Sequence, residues 1–326
     1  VCDTSMIGAD DQVRLRNCLE RLTTASELEY TGEYGAEITT FIPFVGWLKR
    51  EGHMAGRRIR TYAGMRPYYF FLDDDEFAGK PGRRNWIPVR QRYWPSPSTY
   101  TATASPWHHY ADYRSHFLSS GMKFERPIIF VQNKFTIDWG VGPINFIPVV
   151  ALERFLHEAG RRFDIVYSRP GSFDETKGYS ADQNIELNYP DADILWRFPG
   201  VHHLERMCAE GKLDYNRTKL EILAKSKLFI AVQGGSAHIL ACFGDSLLLL
   251  LDREGSEHLA PDGHEYPHAY RRGPYKYLAK VTPTLIVPRS FNDFHAAMLI
   301  IAQAARPDGA TPLPANAMSQ LERWVM

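Results

Sequence analysis

Short apolar runs alternate with segments of helical spacing through the second half of the chain. The runs at 127–132 (PIIFVQ), 163–168 (FDIVYS) and 227–232 (KLFIAV) show no period-two alternation. Such runs are typical of strands that are buried on both faces of a parallel sheet. Between them, Pro148–Ala159 and Asp214–Ser226 have the spacing of amphipathic helices. This order predicts an α/β structure in which helices cover both faces of a parallel sheet.

The same alternation continues toward the C-terminus. We predict a helix over Gly200–Glu210, a strand over Ser246–Leu251 and a closing helix over Phe291–Ala305. A last strand is predicted over Val281–Val287, and Pro283 favours an edge position because proline cannot donate to a central ladder.

Patterns in the first half are weaker. Asp11–Leu22 and Ile38–Arg50 have helical spacing, and Pro43 interrupts the second of them. Ile59–Tyr62 and Tyr68–Leu72 are predicted to be short strands. The first half therefore also combines helices with strands, although its order is less clear.

The length of the chain indicates two domains. The chain has 326 residues, which is more than one domain usually contains. We place the boundary in the polar segment at 119–126, which gives an N-terminal domain of residues 1–122 and a C-terminal domain of residues 123–326. The stretch at 79–103, rich in Pro, Arg, Tyr and Ser, is predicted to be a surface connection.

Charge and composition limit the kinds of partner that the protein is expected to bind. Lys plus Arg equal Asp plus Glu at 38 each, which argues against a nucleic-acid binder that relies on bulk positive charge. No apolar window of about 18 residues occurs, so no transmembrane span is predicted, while association with a membrane surface stays open. The first residues lack the pattern of a signal peptide, and we expect a cytoplasmic protein. The four cysteines are too few and too scattered for a disulfide framework.

The strongest local signal is a glycine turn between an apolar strand and a short helix. Gln233-Gly234-Gly235-Ser236 follows the run at 227–232. Adjacent glycines permit a sharp turn and let a ligand approach the main chain. The next helix would offer unpaired N–H groups and the positive end of its dipole, which favour a phosphate. Glycine needed only for the geometry of the turn is the alternative, but ligands in α/β sheets bind at the carboxyl ends of strands.

Two side chains in the predicted helix could add contacts to that phosphate. Ser236 could cap the helix or donate its hydroxyl, and His238 could supply a further donor. The dinucleotide fingerprint Gly-x-Gly-x-x-Gly and the Walker motif are both missing at this turn. An ordinary NAD enzyme and a P-loop NTPase are therefore disfavoured.

Residues 228–244 read LFIAVQGGSAHILACFG. This segment resembles the donor-phosphate segment of GT-B glycosyltransferases, and heptosyltransferase-like members are nearest in pattern. The resemblance implies two facing Rossmann-like domains, with parallel sheets flanked by helices and a cleft between the domains. The familiar Gly-Pro is Gly-Ser here, so the carry-over is restricted to Gly234, Gly235, Ser236 and His238.

The resemblance also implies a function. A protein of this family transfers a sugar from a nucleotide-diphosphate sugar to a glycan or glycoconjugate acceptor, as in polysaccharide biosynthesis. The nucleotide-sugar is held mainly by the C-terminal domain, and neither a metal nor a further cofactor is required.

Polar residues also follow the two preceding strands of the predicted sheet. Asn133 and Lys134 come after the run at 127–132, and Arg169 comes after the run at 163–168. Arg169 could bind a pyrophosphate bidentately, and it faintly resembles the strand-end Arg of fucosyltransferase-like GT-B enzymes. Lys134 could offset phosphate charge. A surface arginine before a proline turn and a salt-bridged loop lysine are the alternatives.

A loop in the first half supplies candidates for a catalytic base. The stretch at 31–37 (TGEYGAE) resembles the first-domain loop that faces the cleft in many GT-B enzymes. An inverting transferase needs a carboxylate or His to take a proton from the acceptor hydroxyl. Glu33 and Glu37 are the candidates, with His53 as a third. Glu37 could instead be a first-turn carboxylate that the helix dipole favours.

Two other classes of function stay open. One is a sugar-nucleotide epimerase or hydrolase of the same architecture, and the other is a non-catalytic protein that binds a nucleotide or carbohydrate. The histidines between 252 and 270 fit no compact metal motif, so no metal site is predicted. Glu257 or Glu265 in that tract could contact the ribose or the sugar of a donor.

Overall fold

Two parallel sheets, one in each half of the chain, organise the fold. The computed structural model describes residues 9–82, 84, 93–95, 105–137, 142–170, 185–253, 273–306 and 313–326. Within these ranges the first sheet has three strands and the second has six. None of the described helices is long and apolar enough to cross a membrane.

The first half combines helices with the small sheet. Its three strands are parallel and lie side by side in chain order. Its elements are α1 (Ala9–Ala25), β1 (Glu27–Glu29), α2 (Tyr34–Ala36), a π-helical turn (Glu37–Phe41), α3 (Ile42–Arg50), β2 (Arg58–Tyr62), β3 (Phe77–Lys80) and α4 (Tyr113–Phe117). The predicted helices and the strand at 59–62 are confirmed.

The strand predicted over Tyr68–Leu72 is wrong. Arg66–Tyr69 forms a 3-10 helix with Pro67 in its first turn. Proline is well placed there because the first turn of a helix needs no N–H donor from it. Tyr68 and Tyr69 are both fully buried, and their hydroxyl groups bond to different partners, Tyr34 and Glu37.

The second half carries the larger sheet. Its elements are β4 (Ile128–Gln132), β5 (Thr136–Ile137), α5 (Val149–Ala159), β6 (Asp164–Ser168), β7 (Ile185–Glu186), α6 (Ala192–Leu195), β8 (Val201–His203), α7 (Leu204–Gly211), α8 (Tyr215–Lys225), β9 (Leu228–Val232), α9 (Gly235–Ala241), β10 (Leu247–Leu251), β11 (Thr284–Ile286), α10 (Phe291–Ala304) and α11 (Ala315–Leu321). The main strands pair in parallel in the order β11-β10-β9-β4-β6-β8. This is the doubly wound order 3-2-1-4-5-6 read from the other edge, so the sheet is Rossmann-like.

Two predictions in this half concern the edges of the sheet. The strand that follows Pro283 is an edge strand, β11, as predicted, although it is shorter than the predicted range. The helix predicted over Gly200–Glu210 begins only at Leu204, because Val201–His203 forms the other edge strand, β8. A short edge strand that contains two half-buried histidines carries no apolar run by which to recognise it.

β10 shows how burial decides local structure. Its five consecutive leucines have a strong intrinsic preference for helix. The run is too short for a stable helix, and all five side chains are fully or almost fully buried. A central parallel strand covered on both faces accommodates such a run, because context outweighs propensity there.

Apolar layers cover both faces of the larger sheet. One layer contains side chains of α5, α10 and α11, such as Leu152 and Phe294, packed on the strands. The other contains side chains of α7, α8 and α9, and it is continuous with the core of the first half around Tyr30 and Phe41. The two halves therefore share one apolar cluster. The domain boundary and a cleft between two facing domains stay predictions.

Polar contacts reinforce the junction between the halves. Tyr34 Oη donates to Tyr68 Oη (2.7 Å), and Tyr68 Oη donates to Asn216 Oδ1 (3.1 Å). Asn216, on α8, also donates from Nδ2 to the carbonyl oxygen of Gly64 (2.8 Å). This buried chain of hydrogen bonds links α2 and the 3-10 helix of the first half to α8 of the second.

Candidate functional site

The strand order places a crevice between β4 and β9. The chain leaves β4 toward β6 and leaves β9 toward β10, so their connections diverge to opposite sides of the sheet. In open α/β sheets ligands bind outside the carboxyl ends of strands at such a switch point. The segment after β4 contains Lys134, and the segment after β9 is the glycine turn at 233–236. These two predicted site segments are thus neighbours.

Gly234 has a backbone conformation that only glycine adopts readily, with φ of +152° and ψ of 172°. A Cβ atom at this position would lie 3.2 Å from Lys134 Nζ and 3.5 Å from its Cδ and Cε. The half-buried lysine side chain therefore lies against the main chain of the turn. The geometry brings a cation and the main chain of the glycine turn together at the switch point.

Gly235 has a different reason to be glycine. A Cβ atom on Gly235 would lie 3.3 Å from the backbone N and 3.4 Å from Cα of Gly35, at the start of the first half's helical segment. Conversely, a Cβ atom on Gly35 would lie 3.1 Å from Gly235 Cα. The main chains of α2 and α9 thus meet directly. Packing alone accounts for this second glycine.

His238 lies beside the same contact. Its Cδ2 is 3.3 Å from the Cβ position of Gly35, and its ring centroid is 5.0 Å from that of Tyr275. Burial, reinforced by the charge of Lys134, lowers the pKa of His238 to about 4. The imidazole is therefore neutral at pH 7. Its Nδ1 atom is buried and has no hydrogen-bond partner among the described residues.

Ser236 does not cap α9, although capping was one of the two roles expected for it. Gly234 occupies the N-cap position of α9, and no side chain makes a capping hydrogen bond there. Ser236 lies within the first turn and is partly exposed. Its hydroxyl thus stays a candidate contact for a ligand at the switch point.

Arg169 is held by an internal carboxylate. It is 4% exposed, and its Nε and Nη2 atoms donate to the two carboxylate oxygens of Asp191 at 2.6 and 2.9 Å. Burial lowers the pKa of Arg169, but the hydrogen bonds and charge of Asp191 raise it by more. Asp191 also accepts from the backbone N–H of Ala192 at the start of α6. The bidentate pairing predicted for a pyrophosphate is thus made with Asp191.

Asn133 is also fully buried and internally bonded. Its Nδ2 atom donates to Tyr167 Oη (2.8 Å). Its Oδ1 atom accepts from the backbone N–H groups of Lys134 (2.9 Å) and Ile147 (2.8 Å). These bonds shape the loop that carries Lys134. Their geometry is that of a loop support.

The two candidate carboxylates of the first half have different surroundings. Glu37 is fully buried, accepts hydrogen bonds from Thr61 and Tyr69, and lies 2.6 Å from Arg84 Nη1. Glu33 is partly exposed and precedes α2, whose Gly35 contacts α9. Glu33 is therefore on the loop that approaches the glycine turn, whereas Glu37 is part of the core.

The remaining sequence candidates lie elsewhere. His53 packs its ring against Trp47, with centroids 5.5 Å apart. Glu257, Glu265 and the histidines at 258, 264 and 268 lie outside the described residues. Among the residues that are described, no group of three or more His, Cys, Asp or Glu side chains could hold a metal ion.

Sequence reasoning missed two aromatic neighbours of the glycine turn. Tyr34 Cδ1 would be 3.9 Å from a Cβ atom on Gly235, and Tyr275 faces His238 from the 3-10 helix Gly273–Lys276. The only sequence feature that pointed to Tyr34 was its place within the loop motif at 31–37. No sequence feature pointed to Tyr275, because its position beside His238 depends on the tertiary fold.

Comparison with known proteins gives one weak structural similarity. No protein-family model matches the chain, and no curated protein sequence matches it. A solved structure with some likeness is the catalytic domain of starch synthase IV from Arabidopsis thaliana, bound to ADP and acarbose. The TM-score is 0.25 and the identity 11%, over 84% of this chain and 57% of that chain. The chain thus spans less than two thirds of that structure, and a likeness at this level carries no argument.

Proposed function

We propose that the chain is a glycosyltransferase whose nucleotide-diphosphate sugar binds at the switch point between β4 and β9. The observation that carries this proposal is the side chain of Lys134 lying against the main chain of Gly234. A diphosphate needs a cation and hydrogen-bond donors that can approach it closely. This place in a doubly wound sheet offers both.

The connection after β4 favours a nucleoside diphosphate over a dinucleotide. In dinucleotide-binding Rossmann folds the pyrophosphate sits on a tight, glycine-rich turn between the first strand and the first helix. Here that connection runs from Asn133 to Pro148 and is much longer than such a turn. The turn with adjacent glycines instead follows β9, the fourth strand of the sheet in chain order.

The chemistry in this proposal is stabilisation of the leaving group. When the bond between the sugar and the diphosphate breaks, negative charge develops on the phosphate oxygen. The Lys134 ammonium would offset that charge, with Ser236 and the neutral His238 as neighbouring hydrogen-bonding groups. Because lysine supplies the positive charge, the proposal requires no metal ion.

We propose that Glu33, rather than Glu37, is the base that takes the proton from the acceptor hydroxyl. Glu33 is partly exposed on the loop next to the contact between Gly35 and Gly235, and a base must reach the hydroxyl from which it takes a proton. Glu37 is surrounded by core donors. By the same reasoning Arg169 and Asn133 support the loops around the site and need not touch the donor.

The proposal is tested by incubating the protein with UDP-, GDP- and ADP-sugars, each with and without a panel of glycan acceptors. Mass spectrometry of the products should show one donor that yields a glycosylated acceptor. Conversion of the donor without any acceptor would favour an epimerase or hydrolase. Saturable binding without any conversion would favour a non-catalytic binding protein.

Substitution of the proposed base sharpens the test. Glu33→Gln should lower the transfer rate by about 10²–10⁴-fold while leaving donor affinity nearly unchanged. Glu29→Gln is the matched control, because Glu29 is an exposed carboxylate of β1 that pairs with Lys80 (2.7 Å). Equal rates for the two variants would exclude Glu33 as the base.

A further inference from the structure

Lys219 is a buried lysine of α8 for which the proposed chemistry has no use. It is only 1% exposed, and its helix neighbours Thr218 and Leu220 are buried as well. Lysine is rarely buried to this extent, because the ammonium loses its hydration. Burial, partly offset by the charge of Glu205, lowers the pKa of Lys219 to about 8. The free-energy cost of burying this ammonium group must be offset by the contacts that it makes.

Lys219 makes a hydrogen bond with the last residue of β4, and its ammonium also lies 5.9 Å from the centroid of the Phe130 ring. Its Nζ atom donates to Gln132 Oε1 at 2.8 Å. The side-chain amide of Gln132 in turn donates from Nε2 to the carbonyl oxygens of Asn133 (3.1 Å) and Ser168 (3.2 Å). Since Ser168 is the last residue of β6, this amide ties the carboxyl ends of two neighbouring strands together.

A lysine determines which way that amide faces. An ammonium group is only a donor, so the glutamine must present its oxygen to Lys219. Its NH₂ group then points to the two strand-end carbonyl groups. A hydroxyl group on α8 could accept as well as donate, and it would leave the orientation of the Gln132 amide less well defined.

Asn133 connects Gln132 to Lys134 of the proposed site. The carbonyl group of Asn133 accepts from Gln132, while its side-chain oxygen accepts from the N–H groups of Lys134 and Ile147. The peptide that leads into Lys134 is therefore fixed from both sides.

We infer that Lys219 is a positioning residue that acts through Gln132: it fixes the carboxyl end of β4 and thereby places Lys134 against Gly234. The link from Lys219 to Lys134 follows from the contacts of the folded chain. That Lys134 meets a diphosphate rests on the proposed function. The two parts can be tested separately.

The first measurement needs no ligand. Amide hydrogen exchange of the peptide at 128–137 is compared in the wild type, Lys219→Met and Lys225→Met. Lys225 is the matched control, because it lies on the same helix but donates to the carbonyl oxygens of Leu118 and Ser120. Lys219→Met should speed exchange in this peptide by about tenfold, the scale of one lost charged hydrogen bond, and Lys225→Met should not.

A double-mutant cycle tests the route through Gln132. Gln132→Leu should speed exchange of the same peptide as Lys219→Met does, and the combined variant should add little because both changes remove one linkage. Additive effects would overturn the inference, and so would unchanged exchange in Lys219→Met. If Lys219→Met does not fold, Lys219→Gln replaces it, since its amide can donate but can also flip.

Inorganic pyrophosphate tests the part that rests on the proposed function, because it carries the diphosphate without a base or sugar. Lys219→Met should bind it about tenfold more weakly than the wild type, and Lys225→Met equally well. If the wild type binds no pyrophosphate, the proposed function fails, while hydrogen exchange still decides the positioning role. If the wild type binds it and Lys219→Met binds it equally well, the inference fails and the proposed function stands.

Discussion

Arg114 joins the two halves of the chain through the ends of two helices. From α4 in the first half, its guanidinium donates to the carbonyl oxygens of Ala224 (2.7 Å) and Ser226 (2.8 Å) at the end of α8. It also donates to those of Phe243 (3.2 Å) and Gly244 (3.4 Å), just after α9. Arg114→Met keeps much of the aliphatic stem and removes all four hydrogen bonds.

The cost of this substitution can be worked out from these contacts. Hydrogen bonds to a charged group contribute about 1.5–3 kcal/mol each, and here two are short and two are long. A cation at the C-terminus of a helix adds about 0.3–1 kcal/mol. Burial of the guanidinium opposes these terms and lowers the pKa of Arg114, although Asp245 and Asp112 partly compensate. We expect a net loss of about 3 kcal/mol in the free energy of unfolding.

Urea denaturation followed by tryptophan fluorescence and by circular dichroism measures this loss. Arg217→Met is the matched control, because Arg217 is exposed on α8 and pairs with Glu221, and its loss should cost less than about 0.5 kcal/mol. The wild type should unfold in one transition seen equally by both probes, because its halves share one apolar cluster. A loss below about 1 kcal/mol for Arg114→Met, or one equal to that of the control, would refute the reasoning.

Three further predictions concern Lys219, Glu37 and Gly235. The pKa of Lys219 is about 8 in the folded chain and near its ordinary value of 10.5 in the unfolded chain, so the unfolded state binds more protons between these two pH values. The free energy of unfolding of the wild type, relative to that of Lys219→Met, should therefore rise with pH over this window. Urea titrations at a series of pH values should show a rise of up to about 3 kcal/mol. Glu37→Gln should cost about 3–5 kcal/mol in the same assay, because it removes the carboxylate that faces the fully buried Arg84, and a cost below about 1 kcal/mol would contradict a structural pair. Gly235→Ala should lower the free energy of unfolding by about 1–3 kcal/mol, because the added Cβ atom would press on the backbone of Gly35. Gly142→Ala is the control and should be close to neutral, because an added Cβ atom there meets nothing within 4 Å. Equal melting temperatures for the two variants would show that α2 and α9 do not meet as described.

Burial patterns made the larger sheet predictable from the sequence. Strands at 128–132, 164–168, 228–232 and 247–251 were all visible as short apolar runs, because a central parallel strand is apolar on both faces. The edge strand β8 was not visible, because its half-buried histidines give no such run. The 3-10 helix at Arg66–Tyr69 was mistaken for a strand because aromatic residues favour strands in general.

The candidate site was predictable in position but not in detail. The glycine turn and Lys134 follow from the rule that ligands bind at the carboxyl ends of parallel strands. Whether Arg169 faces a ligand or a carboxylate depends on Asp191, which is contributed by a later segment of the chain. The partners of Gly235 and Lys219 are likewise distant in sequence. Such pairings arise from tertiary packing, which local patterns do not encode.

The central claim is that Lys134 binds the diphosphate of a nucleotide at the switch point of the larger sheet. Isothermal calorimetry with UDP, GDP and ADP tests it on the wild type, Lys134→Met and Lys227→Met. Lys227 is the matched control, because it pairs with Asp245 at the opposite, amino-terminal end of β9. We predict that one nucleotide binds the wild type and Lys227→Met equally and binds Lys134→Met at least about tenfold more weakly. Equal affinity of Lys134→Met and the wild type for that nucleotide would contradict the claim.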